Sequence, residues 1–580
     1  MYPTAQLARS PLYQRRPEGL TLDERIRLSY ERAQSVGRLY GLTAHDVLTL
    51  SPRFWKLHTD PIFALDGAAM TLNTLQYNCC AGTLAMFARS QPDLVPILQQ
   101  VLNFDVSGQY LLTEVGHGLD AIHLETTATL LPNGEFELNT PTESAAKFMP
   151  PTTPMGIPCV AVVFARAIVE GSDHGIKPFI VHLHDGKNME PGVVSKLIPP
   201  RGGSRPVNHS ITSFHRVRLQ YSALLGPLNK PEDPRTAFFH NISRVAVGSI
   251  AIASFSIPVL RVATFIAGHY SLRRTVVDHQ EENSKRPIIS FRTQKIPITT
   301  ALAQSFVLPA FHDEATSIFR DMSFDPRVRH AIASIFKVTT VQHTLASTLV
   351  LGDRCGAQGL FEANQITAMN ADIRGASIAE GDLLALSIRF ASELLLGRYT
   401  IPGSRNPDSL LARRESGLFD ELRRSLASMK HHRSPDFDRL ILPECTNLIQ
   451  AIGHRMAYDA AVARSVDSVL IDLYVASCVK LDSAWYVEKA MLSRYEQREI
   501  ENKAVDVVYG RIEEFLAKLE VDAYVTAPII SEKEWSRYVE GMKTFRRDEA
   551  TVFGHGRAIG TLHPADTYVN GSHAQFRSRL

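Results

Sequence analysis

The sequence predicts an α+β protein that is mostly helical, with helices at both ends of the chain and antiparallel strands between them. Apolar residues recur at helical spacing over 22–105 and again after about residue 235, whereas β-branched and alternating runs fill the middle. Strands and helices do not alternate regularly, which argues against a doubly wound parallel sheet. Because 580 residues exceed the size of one hydrophobic core, we expect several domains. These are an N-terminal helical domain (1–105), a central β-domain (106–230), and two C-terminal helical domains (231–405 and 406–580), the last with an exposed tail.

Two stretches support the N-terminal helical domain. The segment "LTLDERIRLSYERAQSVGRLYG" opens with a Thr/Asp helix-start signal and continues with helical spacing of its apolar residues. The segment "DPIFALDGAAMTLNTLQYNCCAGTLAMFA" is long and apolar enough to be a buried helical run.

The central β-domain is predicted from several short runs of strand composition. "LETTATLL" and "EFELN" are separated by "PNG", and the Asn133–Gly134 pair is a strong signal for a hairpin turn. Further strands are predicted at "CVAVVFARAIV", "KPFIVHLH" and "HRVRLQY".

The helical C-terminal half contains one segment that imitates a membrane span, "VAVGSIAIASFSIPVLRVATFIAGHY". Its uncharged run ends at Arg261, short of the roughly 20 residues that a bilayer core requires. We therefore expect no membrane span but a buried core helix with a kink at Pro258. Proline-rich breaks at 401–409 and 431–438 predict a seam within this half.

Composition argues against two classes of partner. The formal net charge is only +2, and Lys and Arg are scattered along the chain, so nucleic acid is not expected to bind. The six cysteines form no CxxC pair, which indicates a reducing compartment without a zinc ribbon. His182 and His184 lie two residues apart on a predicted strand and could share a metal, but no third ligand can be placed, so we expect no metal.

The last three residues are Ser578, Arg579 and Leu580. A small–basic–Leu tripeptide at a free C-terminus is close to the SKL form that the peroxisomal import receptor reads. We therefore expect this receptor as a partner and the peroxisome as the location.

Glu380 is an acidic residue at the start of an apolar helical segment that begins near Leu383. Acids near a helix N-terminus are favoured by the macrodipole, so Glu380 could simply stabilise the helix. Two glycine-containing segments, "TEVGHG" and "RCGAQG", are suited either to close approach of a ligand or to ordinary turns. The residues by themselves leave these alternatives open.

Four ordered segments together resemble a known family. They are "LLTEVGHGLDAIHLETTATLLPNGEFELNTPTESAAKF", "HYSLRRTVVDHQEENSKRPIISFRTQK", "RCGAQGL" and "ADIRGASIAEGD". The chain is similar to the acyl-CoA oxidase and acyl-CoA dehydrogenase superfamily, and nearest to the peroxisomal acyl-CoA oxidases. The resemblance implies an N-terminal helical domain, a central β-domain, C-terminal helical bundle domains, bound FAD and a homodimer.

The resemblance assigns cofactor-binding residues one by one. Thr113 matches a threonine that hydrogen-bonds the flavin ring, and Gly116 lies in the same loop. Arg274 matches an arginine that reaches a FAD phosphate across the dimer interface. Gly356 and Gln358 match the glycine-rich loop that approaches the FAD of the partner subunit.

The resemblance also assigns the catalytic residue. Glu380 matches the glutamate that removes the α-proton of an acyl-CoA, and Gly381 fits a crowded position beside the flavin. The implied reaction is oxidation of an acyl-CoA to the trans-2-enoyl-CoA, with electrons passed to O₂ to give H₂O₂. Peroxisomes lack the electron-transferring flavoprotein that dehydrogenases reduce, which favours O₂ as the acceptor.

The chain departs from the family pattern at several positions. The stretch "FMPPTTPMG" replaces an aromatic–Pro–Gly–Gly segment over the flavin, and Leu383 replaces an asparagine. Such changes suit a specialised acyl-CoA substrate in a biosynthetic side pathway, and they also permit a catalytically weakened paralogue that acts as a partner subunit. An acyl-CoA dehydrogenase with a protein electron acceptor is the enzymatic alternative.

Overall fold

The computed structural model describes residues 2–278 and 284–545. The chain begins with helices, as predicted, and the longest of them, α3, starts with a capping box between Thr21 and Glu24. A π-helical segment, Thr74–Ala81, connects α6 to α7. The helices before the first strand are α1 (Ala5–Ala8), α2 (Pro11–Gln14), α3 (Leu22–Tyr40), α4 (Ala44–Thr49), α5 (Pro52–His58), α6 (Gly67–Asn73), α7 (Gly82–Ala88) and α8 (Val95–Leu102).

The strands of the central region form two sheets. The six-stranded sheet has the order β1-β5-β2-β3-β9, with β6 also paired to β5, and the three-stranded sheet has the order β4-β8-β7. The strands are β1 (Ser107–Leu111), β2 (Thr127–Leu130), β3 (Phe136–Asn139), β4 (Lys147–Pro151), β5 (Cys159–Val169), β6 (Ser172–His184), β7 (Val193–Leu197), β8 (His209–Phe214) and β9 (Val217–Leu219).

The larger sheet is mixed, so the expectation of a purely antiparallel β-domain is wrong in this respect. The predicted hairpin is confirmed, because β2 and β3 pair antiparallel and Gly134 adopts a φ of 86° in the turn. However, β1 and β2 both run parallel to β5. The long segment 112–158 between β1 and β5 supplies the crossover that a parallel pair needs, and a local sequence pattern does not report such pairing.

Helices return after β9, and only two short strands accompany them in the part of the chain that the structure describes. The helices are α9 (Pro234–Asn241), α10 (Arg244–Ser254), α11 (Ser256–Arg273), α12 (Arg292–Arg320), α13 (Pro326–Arg354), α14 (Ile366–Ile378), α15 (Leu383–Leu395), α16 (Leu410–Ala427), α17 (Pro435–Leu440), α18 (Cys445–Ala463), α19 (Ser468–Leu481), α20 (Ser483–Glu488), α21 (Arg494–Tyr509), α22 (Ile512–Ala517) and α23 (Glu532–Glu540). The strands β10 (Thr275–Val277) and β11 (Lys285–Pro287) pair antiparallel.

The apolar segment that imitates a membrane span is a core helix. Within residues 2–278 and 284–545, Pro234–Arg273 is the one helical stretch long and apolar enough to cross a membrane, but 89% of its apolar window is buried inside the protein. The stretch divides at Phe255 into α10 and α11, three residues before Pro258, and the kink at Pro258 stays a prediction.

One large apolar core joins the N-terminal helices to the C-terminal helices, while a second core lies within the β-sheets. The larger core includes Leu395 and Leu411, on either side of the predicted seam at 401–409. The seam therefore crosses a continuous core, and the four domain limits stay predictions.

Candidate functional site

Glu380 lies in the turn between α14 and α15 rather than in a helix. Asp382 caps α15 instead, because its Oδ1 accepts hydrogen bonds from the backbone N–H groups of Leu384 (2.9 Å) and Ala385 (3.1 Å). Glu380 and Gly381 adopt successive φ values of 57° and 97°. A left-handed conformation is costly for a residue with a side chain and is often found at functional sites. Helix-start electrostatics therefore do not explain Glu380.

The Glu380 carboxylate is enclosed by side chains from the N-terminal and C-terminal halves. The Cys79 thiol, in the π-helical segment, donates to Glu380 Oε1 at 3.3 Å. Burial raises the pKa of Glu380, while the Cys79 hydrogen bond and the charges of Lys337 and Arg244 act in the opposite direction. The net effect is a raised pKa, which is the property that a carboxylate needs to act as a base near neutral pH.

Three buried polar atoms around Glu380 have no hydrogen-bond partner in the described chain. They are the Tyr110 hydroxyl, Asn78 Oδ1 and Arg244 Nη2. Tyr110 lies within electrostatic range of both Cys79 and Glu380, and the Asn78 amide donates to the Arg244 carbonyl at 3.1 Å. Because buried polar groups are normally paired, this cluster is suited to a polar ligand.

The Glu380 backbone also has an unused donor. Its N–H bonds to no acceptor among residues 2–278 and 284–545, while its carbonyl accepts from Ser249 Oγ at 2.8 Å. A free N–H beside a carboxylate can stabilise a carbonyl oxygen that gains negative charge.

The loop after β1 holds Thr113 and Gly116. Thr113 is half-buried, its carbonyl accepts from Phe148 N at 2.9 Å, and its hydroxyl bonds to no described residue. Gly116 donates to the Ser144 carbonyl at 2.8 Å, and a Cβ at this position would lie 2.8 Å from Ser144 Cβ. The packing of the loop is therefore sufficient to explain Gly116, whereas the Thr113 hydroxyl is available to a ligand.

Arg274 and Gly356 follow two helix ends that one side chain links. Gln294 Nε2 bridges the end of α11 to the end of α13, since it donates to Ser271 Oγ (2.9 Å) and to the Arg354 carbonyl (2.8 Å). Arg274 follows α11 and is exposed. Gly356 follows α13 with a φ of 60° and open space at its Cβ position.

Gln358 is partly engaged, because its Oε1 accepts from Asn364 Nδ2 at 3.1 Å. The predicted site residues thus form three groups: Thr113 with Gly116, Glu380 with Gly381, and the Arg274 region with Gly356 and Gln358.

The sequence missed most of the Glu380 surroundings. Cys79, Tyr110 and Arg244 come from three elements, and the Cys79–Glu380 contact joins residues 301 positions apart. Arg244 carried a usable signal, because it is a charged residue at the start of a nearly uncharged helix. Cys79 and Tyr110 carried none beyond their membership of apolar runs.

His182 and His184 lie in different surroundings. His184 is buried and its Nδ1 accepts from Gly186 N at 3.1 Å, whereas His182 is exposed. All six cysteines are free and buried.

A second group offers three buried metal-ligating atoms within 4.8 Å of one another, from His343, His454 and Cys478. Both ring nitrogens of His343 already lie within hydrogen-bonding distance of a polar side chain. Ser347 Oγ donates to Gln304 Oε1 at 2.6 Å, so the Gln304 amide nitrogen faces His343 Nδ1 at 3.1 Å as a donor. The proton of His343 therefore sits on Nε2, towards the Tyr474 hydroxyl at 3.3 Å. His343 is thus part of a hydrogen-bonded chain and has no free lone pair for an ion.

Gly248→Ala tests the packing around the carboxylate. A Cβ at Gly248 would lie 2.7 Å from Glu380 Cδ and Oε2, so alanine must displace the side chain. If Glu380 is the base that the family resemblance assigns, kcat should fall about tenfold or more, since small displacements of a catalytic group are costly. Gly403→Ala, where nothing lies within 4 Å, is the matched control and should leave kcat unchanged. Equal rates for both variants in a steady-state assay would contradict this placement of Glu380.

Known proteins resemble this chain in both sequence and fold. Residues 246–395 match the family described as "Acyl-CoA oxidase, C-alpha1 domain". The human peroxisomal acyl-coenzyme A oxidase 3 is 26% identical over 423 residues, which cover 67% of this chain and 59% of the human protein. The match thus spans less than two thirds of the length of that relative.

Solved structures confirm the mostly helical α+β fold. Acyl-CoA oxidase 1 of Yarrowia lipolytica superposes with a TM-score of 0.78 at 16% identity, covering 99% of this chain and 94% of that one. Acyl-CoA oxidase 1 of Arabidopsis thaliana gives 0.76 at 18% identity, covering 92% and 90%. Acyl-CoA oxidase-1 of Caenorhabditis elegans, complexed with FAD and ATP, gives 0.77 at 16% identity, covering 93% and 90%. In its C-alpha1 region, in its curated relatives and in its fold, the chain is therefore similar to the acyl-CoA oxidases.

Proposed function

We propose that the protein is a FAD-dependent acyl-CoA oxidase that introduces a trans-2 double bond into an acyl-CoA thioester. The reaction converts acyl-CoA and O₂ into enoyl-CoA and H₂O₂, which balances the two electrons and two protons removed. The observation that carries the proposal is the Glu380 carboxylate, which is half-buried against Cys79 in a left-handed turn and has a raised pKa.

Glu380 would act as the base that removes the α-proton. An exposed glutamate, with a pKa of about 4.3, is a weak base. Burial raises the pKa of Glu380 towards the working pH, where a general base is most effective. The unused N–H of Glu380 would donate to the thioester oxygen, which becomes more negative as the α-proton leaves.

The residues assigned to FAD fit such a group. The Thr113 hydroxyl lacks a partner in the described chain, the Arg274 guanidinium is exposed, and Gly356 leaves space for close approach. An arginine fork matches phosphate oxygens in geometry and charge. When bound, FAD would supply the acceptor for the hydride that leaves the β-carbon.

Location and assembly are part of the proposal. Relatives from human, Arabidopsis thaliana and Dictyostelium discoideum carry "peroxisomal" in their names, which supports the peroxisome as the location. The import tripeptide Ser578, Arg579 and Leu580 lies outside the described residues and stays a prediction. The homodimer likewise rests on family resemblance.

The experiment uses the full chain purified with its flavin. We expect flavin absorbance that bleaches when acyl-CoA is added without oxygen, and stoichiometric H₂O₂ under air. A set of acyl-CoA chain lengths identifies the substrate class and tests the specialised biosynthetic role. Bleaching without peroxide would indicate a dehydrogenase, and a chain that binds flavin but never bleaches would indicate a non-catalytic partner subunit.

A further inference from the structure

Side chains from two other helices hold three successive carbonyls of the Glu380 turn. Lys337, in α13, donates from Nζ to the carbonyls of Ala379 and Gly381, the latter at 2.5 Å. Ser249, in α10, donates from Oγ to the carbonyl of Glu380 at 2.8 Å. Each of these three carbonyls therefore accepts a hydrogen bond from a side chain outside the turn, and these bonds hold the conformation of the turn.

Burying the Lys337 ammonium group at this position costs free energy. Its side chain is fully buried, and burial lowers the pKa of Lys337 to about 7, although Glu380 and Asp382 favour the charged form. An apolar side chain in α13 would avoid the cost of desolvating an ammonium group. A buried charge next to a strained turn lowers stability locally, and such losses of stability are expected at functional sites.

We propose that Lys337 is a positioning residue that, together with Ser249, clamps the turn 379–381 and so aims the Glu380 carboxylate. The inference deepens the proposed function and rests on it. Neither residue needs to touch the substrate, because both act through the backbone on either side of the base.

The charge of Lys337 has a second effect that Ser249 cannot have. The ionisable groups that face Glu380 are Cys79, Tyr110, Arg244 and Lys337, and Asp382 faces Lys337. The positive charges of Lys337 and Arg244 lower the pKa of Glu380. Removing Lys337 should therefore raise the pKa of Glu380 and move the acid limb of the pH–rate profile to higher pH.

The test compares Lys337→Met with Ser249→Ala in the flavin-loaded full chain. Both variants should increase amide hydrogen exchange in a peptide covering 376–384, and both should lower kcat about tenfold to hundredfold. Only Lys337→Met should shift the acid limb upward. Lys177→Met is the matched control, because Lys177 is a buried lysine that donates to the Asn229 carbonyl at 3.1 Å, in the β-domain.

Unchanged exchange over 376–384 in both variants, or equal pH profiles for Lys337→Met and wild type, would overturn the proposal. The exchange measurement needs no turnover, so an inactive wild type would defeat the proposed function without deciding the clamp. If Lys337→Met does not fold, Ser249→Ala decides the clamp by exchange alone, because it removes one hydroxyl without changing charge.

Discussion

Glu380→Gln is expected to lower kcat by about three orders of magnitude while the flavin stays bound, since general base catalysis contributes 10²–10⁴-fold. Glutamine has nearly the same shape, so it can fill the space between Cys79 and Gly248 without opening a cavity. It cannot accept the α-proton at neutral pH. The measurement is the rate of H₂O₂ formation with saturating acyl-CoA, together with the flavin absorbance of the purified variant.

The matched control is Glu393→Gln. Glu393 lies in α15, the helix that follows Glu380, and its carboxylate is 3.7 Å from Arg389 Nε in an i,i+4 pair. Such a pair contributes only about 0.5 kcal/mol, so activity should be unchanged. Oxidase activity of Glu380→Gln within roughly twofold of wild type would exclude Glu380 as the base.

Local sequence signals predicted the parts of the fold that local chemistry determines. The start of α3 follows from the capping box of Thr21 and Glu24, and the β2–β3 turn follows from Asn133 and Gly134. The parallel pairing of β5 with β1 and β2 did not follow, because it depends on which distant strand reaches the same edge of β5. Periodicity reports the buried face of an element but not the neighbour that covers it.

The candidate site was likewise predicted only in its local features. Resemblance selected Glu380, but the apolar pattern suggested that it opens a helix, whereas Asp382 has that role. Cys79 and Lys337 reach Glu380 from the π-helical segment and from α13, and no spacing rule joins elements so far apart. Lys337 still stands out in "AIASIFKVTTV" as the single charge of an apolar stretch within α13, which is a signal that sequence reading can use.

Glu114→Gln is expected to destabilise the protein by about 3–5 kcal/mol, the usual effect of removing one partner from a buried ion pair. Glu114 and Lys147 are fully buried, with Oε1 and Nζ 2.9 Å apart. Glu114 also accepts from Thr126 Oγ1 at 2.6 Å and from Glu125 N at 2.7 Å, and thereby organises the loop that follows Thr113. Burial lowers the pKa of Lys147 to about 8 even with Glu114 present, so loss of the carboxylate leaves an uncompensated buried amine.

The double variant Glu114→Gln/Lys147→Met separates charge from packing. It removes both charges with little change in volume, and we expect it to recover most of the stability lost in the single variant. Asp173→Asn is the surface control, because Asp173 pairs with Arg166 at 2.6 Å in the partly exposed β5–β6 hairpin of the other sheet, and the substitution should cost less than about 1 kcal/mol. Urea unfolding of all three variants provides the measurement, with flavin retention as a second readout because Thr113 adjoins Glu114. A single variant as stable as Asp173→Asn would show that the pair does not hold the loop, and the availability of the Thr113 hydroxyl would then need another cause.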